Sequence, residues 1–139
     1  DYKLERRMFE GKYGPATGEG IEQLMAASNE KDYIRSLLSR EDGIIIFSPL
    51  KYYGGNDCKP CKKVVNALIS VGAPFKLVEL DDRKLAQMKC IGVLMGMTGM
   101  SGNPRYPFVF AAGKYIGGVK EVLDLQASGK LYSLASDAS

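Results

Sequence analysis

The sequence predicts an α/β domain, and three observations carry that class. A wholly apolar, β-branched run, Ile44-Ile45-Ile46-Phe47, lies between Gly43 and Ser48-Pro49, as expected for a strand buried on both faces. Apolar residues at helical spacing follow it: Val64, Val65, Leu68, Ile69 and Val71. Phe75 to Leu80 then alternates as a second strand before a further helix-spaced segment through Leu85 and Met88. Joined in that order, the two strands run parallel through a right-handed crossover.

Taken from its start, the chain opens on Gly11, Gly14, Pro15, Gly18 and Gly20 with little periodicity. Residues 1–20 therefore read as an irregular arm, and 21–139 as the domain. Ile21, Leu24, Met25, Ile34, Leu37 and Leu38 recur at helical spacing, as one helix or as two interrupted at Ser28 and Asn29, ending before Gly43. After the first strand, Pro49 to Asp57 forms a loop whose Tyr52 and Tyr53 either flank the next segment or merely cover its helix. That helix stops near Gly72-Ala73-Pro74, with glycine at the cap and proline beyond. Asp81-Asp82 offers an N-cap to the helix through Leu85, and Gly92, Gly96, Gly99 and Gly102 are expected to break it, leaving a short helix and a loop over 91–105. Pro107 to Ala111 and Lys114 to Ile116 flank Ala112-Gly113 as a hairpin. A last helix carries Val119, Val122, Leu123 and Leu125 and ends near Ser128-Gly129.

The whole chain, 139 residues with 45% hydrophobic and 25% charged residues, suits a single globular domain. A net charge of +3, evenly spread, argues against a nucleic-acid partner, and no apolar run reaches the length that spans a bilayer. Three cysteines make an odd count that suits a reducing compartment, cytoplasmic or other, better than a secreted disulfide framework. The chain begins at Asp1 rather than methionine, so an organelle address is not readable.

The chemistry concentrates in Asp57-Cys58-Lys59-Pro60-Cys61-Lys62-Lys63, two cysteines three apart at a helix start. On a first turn, residues at i and i+3 are neighbours on one face, within reach of disulfide geometry. Pro60 suits that turn, where its missing N–H removes no ladder bond. The helix end and Lys59, Lys62 and Lys63 favour a Cys58 thiolate, against the opposing charge of Asp57. A dithiol switch is the leading reading. A zinc site would need ligands beyond Cys90 in a chain without histidine, and two cysteines can also simply pack. Cys90, beside Ile91 and Met88, reads as a packing cysteine, with a regulatory thiol as the other possibility.

The ordered set Ile44 to Phe47, Cys58-Lys59-Pro60-Cys61, Thr98-Gly99, Tyr106-Pro107 and Gly117-Gly118 resembles the glutaredoxin branch of the thioredoxin superfamily over roughly 43–131. The resemblance implies a thioredoxin-like fold, a four-stranded mixed sheet flanked by helices on both faces, with Pro107 held cis beside the dithiol. It implies Cys58 as nucleophile, Cys61 as resolving thiol, and glutathione as reductant, with no metal expected. Pro107 and Tyr106 would align the peptide part of the ligand, and Gly117-Gly118 would approach its γ-glutamyl end, with a tight turn after the strand as the alternative reading of those glycines. Lys51, Lys59 and Arg105 complete the candidate binding set. Arg105-Tyr106 departs from the family's Thr-Val, Lys120-Glu121 from its acidic residues, Pro49 from its lysine after the first strand, and Lys-Pro between the cysteines from the usual Pro-Tyr. The expected partners are glutathione and disulfide-bearing proteins, met by a monomer. The rival readings are a glutathione-assisted [2Fe–2S] module shared by two chains, which Lys59 and Pro60 would crowd, and a thioredoxin-like or adaptor domain of a larger reductase.

Overall fold

The computed structural model describes residues 29–40, 43–49 and 58–138. The arm over 1–20, the first half of the expected N-terminal helix pattern, Lys51, and Tyr52 and Tyr53 lie outside the described residues. Along the chain come α1 (Glu30–Arg40), β1 (Ile44–Pro49), α2 (Lys59–Ser70), β2 (Phe75–Leu80), α3 (Leu85–Thr98), β3 (Phe108–Ala111), β4 (Lys114–Gly117), α4 (Val119–Ala127) and α5 (Leu131–Ala138). Asn29 starts α1, its side-chain oxygen accepting the Asp32 N–H at 2.8 Å, which satisfies one of the donors a helix start leaves open.

The four strands are ordered β2-β1-β3-β4. β1 pairs parallel with β2, Ile44 opposite Phe75, and antiparallel with β3, Phe47 opposite Phe108. Alternation along the strands sorts the core into two layers. On one face Ile44, Ile46, Phe75, Leu77 and Val109 pack under Val64, Val65 and Leu68 of α2, Val122 of α4 and Leu131 of α5. On the other, Ile45, Phe47, Val78 and Phe110 pack against Ile34 and Leu37 of α1 and Cys90, Ile91 and Leu94 of α3. Each fully buried Leu, Ile or Phe in these layers contributes about 1.5–3 kcal/mol of burial, so the sheet is clamped from both sides.

Two expectations are corrected. Asp81 does not cap α3; its carboxylate accepts the Arg83 N–H at 2.9 Å in a preceding turn, and the helix starts at Leu85 behind Lys84. Nor do the glycines break that helix, which runs 14 residues through Gly92 and Gly96 and stops only at Gly99, left-handed at φ 70°. Burying Cys90, Ile91 and Leu94 outweighs the roughly 1 kcal/mol that each interior glycine costs. A further helix, α5, follows Gly129 where the sequence pattern ended the last element.

This topology gathers several chain ends at one place. α2 runs back against β1, so its first turn stands over the carboxyl ends of the parallel strands. β3 begins at that same edge, and β4 ends there, Gly117 opposite Val109.

Candidate active site

Cys58 is the N-cap of α2, in extended conformation at φ −65° and ψ 102°. Its carbonyl accepts the Lys62 N–H at 3.0 Å and its sulfur accepts the Cys61 N–H at 3.3 Å. The sulfur thus takes the place that a serine or aspartate oxygen commonly fills, so a negative charge on it would meet an N–H and the positive end of the helix. Cys58 and Cys61 are joined as a disulfide, their Cα atoms 5.2 Å apart. Cys58 is half-buried and Cys61 fully buried, because Cys61 heads the stripe of α2 that continues as Val64, Val65 and Leu68. Lys59 and Lys63 are exposed and Lys62 half-buried around them.

Pro107 is buried, and its bond to Tyr106 is cis. It immediately precedes Phe108, whose partner is Phe47, which sets it beside the end of β1. Gly118 closes on it so tightly that a Cβ there would stand 3.3 Å from the Pro107 carbonyl oxygen. Gly117 has φ +127°, and a side chain on it would collide with the Glu121 carboxylate; that position requires glycine on both counts. Glu121 itself accepts the Gly118 N–H at 2.7 Å, one half of a capping box at the start of α4.

Between these segments lies a groove of about 320 Å³ lined by Arg105, Tyr106, Tyr115, Gly118, Lys120 and Glu121 among others. Tyr106 stands edge-on to Phe108, ring centroids 5.7 Å apart. Burial, with Asp82 adding to it, pushes the Tyr106 phenol up to about 12. Burial also raises Tyr115, helped by Glu121 and opposed by Arg105. Both tyrosines therefore stay protonated donors at neutral pH.

Of the candidate residues, Cys58, Cys61 and Lys59 open α2, while Arg105, Tyr106 and Gly118 share the groove, with Pro107 and Gly117 buried beside it. Arg105 and Gly118 meet although 13 positions separate them. Tyr115 and Glu121 belong to the groove; from sequence Tyr115 was read only as a strand residue and Glu121 only as a departure from the family's pattern. Glu121 had a legible signal, a glutamate three residues after the glycine that begins a helix; Tyr115 had only its place opposite Phe110 in the hairpin.

The sheet, its two helical layers and a C-x-x-C disulfide at a helix start beside a cis proline define a thioredoxin-like fold with a dithiol site. The glutaredoxin family model matches residues 44–116. The chain is 31% identical over 114 residues to glutaredoxin-C2 of Arabidopsis thaliana, covering 82% of this chain and 89% of that one. The crystal structure of the holo form of glutaredoxin C1 from Populus tremula x tremuloides superposes with a TM-score of 0.65 at 29% identity, over 79% of this chain and 98% of that one. A buckwheat glutaredoxin–glutathione complex is alike in fold, with a TM-score of 0.60 at 22% identity over 78% and 93% of the two chains. The chain belongs to the glutaredoxin family. It is a thiol–disulfide oxidoreductase.

Proposed function

We propose that the protein reduces protein and glutathione mixed disulfides through Cys58 and Cys61, with glutathione as the reductant. The observation that carries this reading is the Cys61 N–H directed at the Cys58 sulfur at the mouth of α2, which favours the thiolate over the thiol. The Cys58 thiolate attacks one sulfur of the substrate disulfide; that S–S bond breaks, and the released thiolate takes a proton from solvent. The Cys61 thiol then gives up its proton, and its sulfur attacks Cys58, expelling the second thiolate and closing the Cys58–Cys61 disulfide. Two electrons have passed to the substrate, and two glutathione molecules restore the dithiol by becoming glutathione disulfide. Pro107 and the Tyr106 backbone align the ligand, Gly117-Gly118 admit its γ-glutamyl end, and Lys59 and Arg105 offer charge to its carboxylates.

Turnover coupled to glutathione and glutathione reductase, run beside turnover coupled to thioredoxin reductase, tests the reading. The glutathione couple should support reduction, Cys58→Ser should return it to the uncatalysed background, and Cys61→Ser should keep activity on a glutathione mixed disulfide while losing the internal disulfide. Turnover with thioredoxin reductase alone would contradict the glutathione assignment.

A further inference from the structure

We propose that the groove beside Pro107 selects protein disulfides that carry an acidic side chain next to the cysteine, with Arg105 and Lys120 as the specificity-determining residues. The proposal rests on the dithiol reading above and deepens it to a substrate class.

The charges around the groove are unequal in what they offer a ligand. Glu121 is its carboxylate, but that group already accepts the Gly118 N–H at 2.7 Å and sits at the positive end of α4, which offsets its field. Asp82 acts on Tyr106 from beyond the groove's lining. Arg105 is exposed, and Lys120 is 80% exposed, paired with Asp124 at 3.3 Å, a partner itself 67% exposed. Such an exposed pair contributes little and does not hold the ammonium back. Lys59 adds a third exposed cation at the same edge of the sheet.

A γ-glutamyl end laid on Gly117-Gly118 brings an ammonium next to its carboxylate, and at the first turn of α4 that ammonium meets Lys120 with like charge. An aspartate or glutamate side chain brings a carboxylate alone. Arg105 and Lys120 both attract it, and Tyr106 and Tyr115, kept protonated, add hydroxyl donors. Charges placed at the edge of a binding site chiefly set encounter rate and partner choice.

Three substrates of matched length test this: a peptide disulfide with glutamates flanking the cysteine, the same peptide with lysines, and its glutathione mixed disulfide. Their kcat/KM values are compared at roughly 0.01 M and roughly 1 M salt, between which the screening length falls from about 30 to about 3 Å. The wild-type protein should favour the glutamate peptide over the lysine peptide by roughly tenfold at low salt and by about twofold or less at high salt. Lys120→Glu should abolish or invert that ratio and raise kcat/KM on the glutathione adduct several-fold; Arg105→Gln should lower the ratio without that rise. Because each ratio is taken within one variant, a partly unfolded preparation does not alter it. Equal wild-type rates on the two peptides, or an unchanged ratio in Lys120→Glu, would overturn the proposal and leave the dithiol reading intact. No turnover on any of the three would overturn both.

Discussion

At Cys58 a backbone N–H points at the sulfur from 3.3 Å, whereas Cys90, wholly buried in the layer under α3, has its thiol pushed up to about 12, by burial first and by Glu30 second. One sulfur thus meets a hydrogen-bond donor at a helix start, while burial keeps the other from ionising. For Cys90 the linkage has a definite sign. Its ordinary value is 9.0 and its folded value about 12, so above pH 9.0 the unfolded chain ionises while the folded chain does not. Stability is complete below that pH and declines as pH rises toward 12. Cys90→Ala should cost about 1 kcal/mol at neutral pH and make the decline shallower, as urea unfolding on either side of pH 9.0 would show. Equal slopes for the two proteins would assign the loss to other groups, Tyr106 among them.

Among the elements, α3 separates the two roles glycine plays. At Gly99 the left-handed φ of 70° ends the helix, and the Met100 N–H reaches back to the Met95 carbonyl at 2.9 Å. Gly92 and Gly96 lie inside the helix with open space where a Cβ would stand. Gly99→Ala should therefore destabilise by about 1–2 kcal/mol, while Gly92→Ala and Gly96→Ala should each stabilise by about 0.4–1 kcal/mol, all read from denaturant midpoints. Shifts of one sign at all three positions would contradict this account. The helix also shows what sequence hides. Periodicity and β-branching gave away β1, β2, α2 and the hairpin, because their patterns are set by burial on one or two known faces. Local glycine cost does not reveal that Cys90, Ile91 and Leu94 are buried against α1, so the helix read as broken. α5 escaped because its eight residues place only Leu131 and Ala135 among the fully buried described positions, too few for a visible period.

In the molecule as a whole, one edge of the sheet receives the first turn of α2, the cis peptide before Pro107 and the first turn of α4, so distant sequence segments meet where the parallel strands end. The dithiol was legible because two cysteines three apart carry their own geometry. The groove was legible only in part, through Arg105, Tyr106 and Gly118, because Tyr115 and Glu121 are joined to them only by the β3–β4 hairpin and the cap of α4. Among the described residues no helix is long and apolar enough to cross a membrane, and Lys59, next to Cys58, is exposed.

The proposed chemistry depends on Cys58 being the one ionised, accessible sulfur of the reduced protein. The rate of iodoacetamide alkylation against pH, with each modified cysteine identified by peptide mass spectrometry, measures that directly. The expected result is reaction at Cys58 alone, with a midpoint well below the ordinary thiol value of 9.0, while Cys61 and Cys90 stay unmodified. A midpoint at or above that value, or Cys61 reacting as fast as Cys58, would contradict it.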